Sequence, residues 1–289
     1  MLRLAFLGNP DEVKRWTRIS GRLRGVRVDS THDFDAMVVG EGMPFDPAHC
    51  AHAAAAGKHV LAGNLLTATS VQVAEVGRVC AAAGICLMPG GTKRFLPAVQ
   101  AVKEYLDAGK LGLPGLLRIH AWQSWESHGC LAREIDLACW YFGEPPNAIY
   151  ASRSQPLGSS QAGADYLQLH LGFAGGGMAL IDHARTLRPG GGYYSLSLIG
   201  SAGAAYADDH HNVQLLHPGE HAGALLTGQG DLHLIAELQE FIDAVREQRE
   251  PAVTANDALR AVQVAEAVAA LGDGEALRWN GQHYEVVAS

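Results

Sequence analysis

Residues 1–16 read MLRLAFLGNPDEVKRW, and this stretch decides the fold of the first part of the chain. The apolar run Leu2–Leu7 predicts a buried strand that ends at Gly8, and Asp11–Trp16 predicts the start of a helix. A strand, a glycine turn and a helix in this order form the phosphate loop of dinucleotide-binding proteins. Gly8 and Asn9 are therefore candidate cofactor-binding residues.

The same turn has a second interpretation, in which it closes on itself. In a GxGxxG loop the glycines let the backbone approach a pyrophosphate, but here Pro10 and Val13 stand at the second and third glycine positions. Asn9 is a favourable N-cap, Pro10 suits the first helical position, and Glu12 can complete a capping box. A helix end of this kind satisfies its own N–H groups and repels a diphosphate, so we expect weak dinucleotide binding or none.

Hydrophobic patterning predicts two architectures along the chain. Short apolar runs alternate with helical segments over residues 1–114, which is typical of βαβ units and a parallel sheet. Strands with alternating apolar and polar residues dominate residues 115–289 and favour an antiparallel sheet covered on one face. The predicted class is α/β, with an N-terminal Rossmann-like parallel sheet and a C-terminal α+β domain that has a largely antiparallel open sheet.

Composition narrows the function classes. Of 289 residues, 48% are hydrophobic and 18% charged, as expected for a soluble globular protein. The net charge of −8, without a Lys/Arg cluster, argues against nucleic acid as the main partner. No apolar run approaches the ~20 residues of a membrane span, so we expect no membrane partner. Five cysteines without a CxxC pair favour a reducing cytoplasm.

Six segments, in order, resemble the Gfo/Idh/MocA (glucose–fructose oxidoreductase / inositol dehydrogenase) family. They are AAAAGKHVLAGNLLTATS, KRFLPAVQAVKEYLDAGKLG, REIDLACWYFGEPPNAIYA, FAGGGMALIDHA, YSLSLIGSAGAAYAD and ELQEFIDAVREQREPAVTANDALRAVQVAEAV. The resemblance implies a Rossmann domain, a second domain whose open sheet often builds a homo-oligomer, and NAD(P)-dependent oxidation or reduction of sugars and cyclitols.

The resemblance also points to catalytic positions, and this chain departs from the family at each. The family's catalytic lysine is replaced by Asn64, which can donate a hydrogen bond but carries no proton, and which is alternatively a polar loop residue. The family's histidine is replaced by Arg133, which can clamp an anion but cannot shuttle protons, and the following acid is Asp136. Arg133 and Asp136 alternatively form an ion pair on the helix surface. His128, in the preceding loop, is a replacement acid or base, or simply a loop residue.

Two further residues are candidates for the cofactor. Asp29 ends the second apparent strand, 21 positions after Gly8, where a carboxylate binds the ribose hydroxyls of NAD. It favours NAD over NADP, and its alternative is an aspartate that starts a turn. Gly40 lies in the glycine-rich turn after the next strand. Arg94 matches the family's arginine that anchors the domains to each other.

Histidines raise the question of a metal. Residues 208–221, DDHHNVQLLHPGEH, include the candidate metal ligands Asp208, Asp209, His210, His211, His217 and His221. Their spacing fits no compact metal motif, so we expect no metal site. His170 and His183 are expected on the exposed face of the second sheet, where subunits meet.

Three functions remain open from the sequence. The first is an atypical oxidoreductase that uses NAD or NADP on a sugar-like or polyol substrate. The second is a redox-inactive relative with a binding, regulatory or accessory role. The third is a lyase or isomerase that uses the cleft expected between the two domains.

Overall fold

The computed structural model describes residues 1–29, 33–124, 130–154, 165–186, 193–208, 213–218, 223–226, 230–271 and 275–287. The chain forms two compact units. The first consists of Met1–Phe95 and Gly230–Val264, and the second of Leu96–Gln229 and Ala265–Ser289.

Helices occur in both units. Over the described residues they are α1 Pro10–Ser20, α2 Pro47–Ala55, α3 Ser70–Ala82, α4 Pro97–Asp107, α5 Leu131–Phe142, α6 Leu232–Glu247 and α7 Ala255–Ala270. No helix within these ranges has the length and apolar character needed to cross a membrane.

Strands of the first unit form a parallel sheet. They are β1 Leu2–Leu7, β2 Val26–Val28, β3 Ala36–Val39, β4 His59–Ala62 and β5 Leu87–Pro89. Their order is β2-β1-β3-β4-β5, and every pairing is parallel. The chain therefore passes from β1 to β2, which pairs with one edge of β1, and then crosses to β3, which pairs with the other edge.

Local capping explains where several of these helices begin. The Asp46 carboxylate accepts the Ala48 N–H at 2.9 Å at the start of α2, and Thr69 and Gln72 form a capping box at the start of α3. Proline occupies the first turn of α1, α2 and α4, where its missing N–H costs no helical hydrogen bond.

The core of the first unit includes a helix from the far end of the sequence. Phe241 and Leu238 of α6 are buried in one cluster with Leu4, Leu61 and Met88 of the parallel sheet. Fully burying side chains of this size contributes about 1.5–3 kcal/mol each. Segment 230–264 is therefore an integral part of the first unit.

Strands of the second unit form one mixed sheet. They are β6 Pro114–Ser124, β7 Ala148–Ser154, β8 Asp165–Gly172, β9 Met178–Thr186, β10 Tyr193–Gly200, β11 Gly203–Asp208, β12 Val213–Pro218, β13 Gly223–Leu226, β14 Ala276–Trp279 and β15 Tyr284–Val287. Their order is β13-β12-β11-β10-β6-β9-β8-β7-β14-β15. Within the described strands, β6 and β9 pair in parallel and the other pairings of this sheet are antiparallel.

This sheet has an inner face and an open face. The inner face packs against α5, and its side chains Ile119, Leu169 and Ile181 are fully buried. On β8 the alternation holds as predicted, because Leu169 lies inside while Gln168 is exposed on the open face. The predicted fold class is confirmed: a parallel N-terminal sheet and a largely antiparallel second sheet.

The compact units differ from the sequence-based division into 1–114 and 115–289 in two places. Helix α4 groups with the second unit, and 230–264 groups with the first. Tertiary packing alone places α4 with the second unit and 230–264 with the first. No local pattern in the sequence indicates this packing.

Candidate functional site

The carboxyl ends of β1 and β3 border a crevice at the centre of the first sheet. Gly8 follows β1, Gly40 follows β3, and the Gly40 N–H donates to the Leu7 carbonyl at 2.7 Å. Because the chain leaves β1 to one side and returns on the other, this is the topological switch point at which open α/β sheets bind ligands. The space bordered by Gly8, Gly40 and Gly42 is called the crevice below.

The predicted closure of helix α1 on itself is confirmed. The Asn9 side-chain oxygen accepts the Glu12 N–H at 2.9 Å, and Oε2 of Glu12 accepts the Asn9 N–H at 3.1 Å. Pro10 stands in the first turn, as its lack of an N–H favours.

Glu12 also reaches across the crevice, which the sequence did not indicate. Its Oε1 accepts the Gly42 N–H at 2.9 Å, so each carboxylate oxygen holds a backbone N–H from a different segment. A Cβ placed at Gly40 would lie 2.8 Å from the Glu12 carboxyl carbon, and one at Gly8 would lie 3.0 Å from Oε2. The carboxylate therefore lies inside the crevice, in an arrangement called the Glu12 bridge below.

This arrangement does not fit the diphosphate of a dinucleotide. A diphosphate at a switch point needs backbone N–H groups, close approach to glycine and the absence of other negative charge. The Glu12 bridge uses the Asn9 and Gly42 N–H groups, occupies the space beside Gly8 and Gly40, and places a carboxylate there. A diphosphate can enter only if Glu12 moves away.

Asp29 lies directly after β2, on the strand beside β1. Its N–H donates to the Leu4 carbonyl at 2.9 Å, and its Oδ2 lies 3.5 Å from Nη2 of Arg27, whose side chain is largely exposed. An exposed pair of this kind contributes little stability. The position agrees with the one expected for a ribose ligand, and that role stays a prediction.

Asn64 lies after β4 at the same edge of the sheet and is 2% exposed. Its Nδ2 donates to the carbonyls of Met43 at 3.0 Å and Pro44 at 3.2 Å, while the backbone carbonyl of Asn64 accepts the Thr67 hydroxyl at 2.7 Å. An amide nitrogen has two hydrogens, and two loop carbonyls use them. This favours the alternative that Asn64 is a polar loop residue over a role in polarising a substrate.

Arg133 and Asp136 lie on the buried side of α5. They are 9% and 1% exposed, so neither forms part of a solvent-facing helix surface. Their spacing of three residues places them on one side of the helix. Whether they contact a ligand stays a prediction.

Sequence reasoning missed a buried pair in the second unit. Oε2 of Glu134, on α5, lies 3.8 Å from Nδ1 of His183, on β9, and the two residues are 0% and 6% exposed. The expectation that His183 lies on the open face is wrong. Ala179, Ile181 and His183 alternate along one strand and share its inner face, so the correct signal was present in the sequence.

Other candidates fall outside the described residues. His128 lies in 125–129, and His210, His211 and His221 lie in the gaps 209–212 and 219–222. Within the ranges that the structure describes, no group of three or more His, Cys, Asp and Glu residues is placed to hold a metal ion.

The fold and the crevice define a class: a two-unit protein with a Rossmann-like sheet and a second unit built on an open sheet. Residues 103–270 match the family model described as "Oxidoreductase family, C-terminal alpha/beta domain" of the Gfo/Idh/MocA group. The match covers more than half of the chain. This protein therefore belongs to the Gfo/Idh/MocA family of oxidoreductases.

Individual relatives agree with this assignment. The rhizopine catabolism protein MocA of Rhizobium meliloti is 24% identical over 232 residues, which cover 75% of this chain and 69% of MocA. The aldose–aldose oxidoreductase of Caulobacter crescentus, solved with glycerol, is 18% identical with a TM-score of 0.76. The scyllo-inositol dehydrogenase of Lactobacillus casei, solved with NAD(H) and scyllo-inositol, is 16% identical with a TM-score of 0.72. Each structure matches 93% of this chain and 96% of its own, and at these identities the likeness establishes the fold.

Proposed function

We propose that this chain is a redox-inactive member of the family that binds a sugar-like or polyol ligand. The observation that carries the proposal is the Glu12 bridge, in which a carboxylate of the chain occupies the crevice that the dinucleotide's phosphates would need. Neither NAD nor NADP is then bound in the ordinary manner, and hydride transfer has no donor or acceptor.

The catalytic positions support the same proposal. Asn64 directs its amide hydrogens at Met43 and Pro44, and an amide cannot relay a proton. Arg133 stays protonated at neutral pH, so it cannot serve as the general base that oxidation of an alcohol requires. Loss of the lysine, the histidine and the phosphate loop together favours a protein that has kept the fold without the redox chemistry.

The ligand class rests on the relatives. One related structure was solved with glycerol and another with scyllo-inositol, and both molecules are neutral and polyhydroxylated. We extend this class, without naming a compound, to the present chain. The five cysteines, all among the described residues, are thiols rather than disulfides, which supports a cytoplasmic location.

A second candidate is an NAD-dependent oxidoreductase, and one observation favours it. Asp29 stands at the carboxyl end of β2, beside β1, where a carboxylate can bind ribose hydroxyls and select NAD over NADP. In this alternative Glu12 rotates out of the crevice when the dinucleotide binds. His128 is then the candidate acid or base.

Titration with NADH and NADPH separates the two candidates. We expect no saturable change in nicotinamide fluorescence at cofactor concentrations up to about 1 mM. A Kd of that size corresponds to a binding free energy of only about 4 kcal/mol. Saturable binding below that concentration, weakened by Asp29→Ala, would establish the oxidoreductase instead.

We further propose that copies of the chain self-associate through the open face of the second sheet, at the end that carries Met178, Ile199 and Tyr206. Met178 on β9, Ile199 on β10 and Tyr206 on β11 are 50%, 40% and 41% exposed, and the register places Leu116 of β6 between Met178 and Ile199. Exposed apolar side chains grouped in this way mark contact surfaces.

Light scattering after gel filtration tests the self-association. We expect an oligomer from the wild type and a monomer from the double variant Met178→Lys, Ile199→Lys, because two charges on the contact surface must be desolvated. Val71→Lys is the control, since Val71 is 77% exposed on α3 of the first unit. A wild-type monomer, or an oligomer that survives the double substitution, contradicts the proposal.

A further inference from the structure

A cleft of about 410 Å³ opens on the second sheet, at the end of the open face opposite to Met178 and Ile199. This volume lies within the ~300–1,000 Å³ typical of small-molecule sites. It is called the sheet cleft below, and its principal lining residues are His120, Trp122, Ser152, Tyr166, Gln168 and Asp182.

A row of hydrogen-bonded side chains crosses one side of the sheet cleft. The Gln168 amide donates to Oδ1 of Asp182 at 3.0 Å, and Nδ1 of His120 lies 3.0 Å from Oδ2 of the same carboxylate. The strand register places the three residues directly beside one another. Because a carboxylate oxygen accepts, Nδ1 of His120 is the donor in this contact, and Nε2 is the ring nitrogen left to hydrogen-bond a ligand.

Two exposed aromatic residues flank the other side. Trp122 and Tyr166 are 47% and 43% exposed, and Ala184 lies between them in the strand register. Neighbouring strands are about 4.8 Å apart, so the backbones of the two aromatic residues are about 10 Å apart. Only the methyl group of Ala184 lies between them. Since carbon atoms in contact are about 3.5–4.0 Å apart, this gap admits one ring-sized molecule. Tyr193 supports Trp122, with ring centroids 5.3 Å apart.

The spacing along the strands gives the distance between the row of polar side chains and the aromatic pair. His120 and Asp182 precede Trp122 and Ala184 by two residues, a distance of about 7 Å. A ring held between Trp122 and Tyr166 therefore presents its edge to the polar row. The faces of such a ring need C–H groups to pack on the aromatic side chains, and its edge needs hydroxyls that can hydrogen-bond to Nε2 of His120.

Charge decides against an anionic ligand. Two described lining residues carry a fixed charge, Asp182 and Arg153. The Asp182 carboxylate lines the sheet cleft, whereas Nη2 of Arg153 donates to the Val268 carbonyl at 2.7 Å. Among the described lining residues the fixed charges therefore balance, and a phosphate would meet the Asp182 carboxylate. A neutral ligand avoids this repulsion.

We infer that the sheet cleft binds a neutral, polyhydroxylated ring molecule, with its C–H faces on Trp122 and Tyr166 and its hydroxyl edge on the Gln168–Asp182–His120 row. The site lies wholly within the second unit and uses neither the crevice nor α5. The inference shares its ligand class with the proposed function and adds a site for it, and it holds whether or not the first unit binds a dinucleotide.

Calorimetric titration of the full chain with myo-inositol and with D-glucose tests the inference. We expect saturable binding of at least one probe with a Kd below about 10 mM. His120→Gln should weaken it about tenfold, as loss of one well-placed hydrogen bond predicts. Trp122→Ala should weaken it at least as much. Ala184→Leu should abolish it, because the larger side chain fills the gap and leaves the polar row in place.

His170→Gln is the matched control, since His170 lies on the same open face and outside the lining of the sheet cleft. Its affinity should equal that of the wild type, inorganic phosphate should not bind, and circular dichroism should show every variant folded. The inference is overturned if neither probe saturates, or if the cleft variants bind as the control does. It is equally overturned if a second copy covers the cleft, so that Trp122→Ala dissociates an oligomer without changing probe binding. Failure of the NADH titration leaves each of these outcomes unchanged.

Discussion

Replacing Arg94 by alanine should lower the free energy of unfolding by about 3 kcal/mol, the low end of the range for breaking a buried ion pair. The Arg94 and Asp257 side chains are 6% and 13% exposed, with Nη2 3.6 Å from Oδ1, and Nη1 of Arg94 donates to the Ala252 carbonyl at 3.3 Å. Without Arg94, Asp257 is a buried carboxylate that has lost its buried cation. The low end applies because Asp257 keeps its hydrogen bonds from Thr254 and its pairing with Arg260.

Chemical denaturation followed by circular dichroism measures this effect, and Arg260→Ala is the control. Arg260 pairs with the same carboxylate but is 42% exposed, so its removal should cost only about 0–1 kcal/mol. If both variants lose the same stability, burial of the Arg94 pair is not what stabilises this part of the first unit.

The pH dependence of the difference follows from Asp257. Burial raises the pKa of its carboxyl, but the charge of Arg94 and the hydrogen bonds from Thr254 outweigh burial and lower the pKa overall. A folded-state pKa below the unfolded value of about 3.9 stabilises the fold at higher pH, and this contribution is lost as the pH falls through the folded-state pKa. The gap between wild type and Arg94→Ala should therefore be widest above about pH 4 and shrink below it.

Much of the fold could be predicted because its signals are local. The strand Leu2–Leu7, the glycine after it and the cap at Asn9 lie within a few residues, and the structure has all three. Alternation along β8 likewise identified the inner and open faces. The family resemblance then supplied the order of the elements.

What the sequence did not reveal depends on contacts between distant residues. Glu12 was predicted as a cap, but its hydrogen bond to Gly42 spans 30 positions and has no local signature. The place of α6 in the first unit depends on Phe241 packing against strands more than 150 positions earlier, and burial alone reports it. Asn64 had a plausible chemical role until its two acceptors, Met43 and Pro44, were located.

Opening the crevice should create the dinucleotide binding that, in our proposal, the Glu12 bridge prevents in the wild type. In Glu12→Ala the Asn9 side chain still caps α1, while the Asn9 and Gly42 N–H groups lose their carboxylate and become available to an anion. Hydrogen bonds to a charged group are worth about 1.5–3 kcal/mol, so NADH affinity should rise at least about tenfold. Helix α1 should lose no more than about 1 kcal/mol, because one half of its capping box remains.

Asp11→Ala separates this local effect from a change of net charge. Asp11 is the exposed neighbour of Glu12 in the first turn of α1, and its removal alters the charge by the same amount while the Glu12 bridge stays in place. Nicotinamide fluorescence should therefore report binding in Glu12→Ala and not in Asp11→Ala. If both variants gain the same small affinity, general electrostatics explains the result and the bridge is not the barrier. If neither gains any, Pro10 and the rest of the loop exclude the diphosphate even when the crevice is empty, because a proline at the second glycine position offers no N–H to the phosphate.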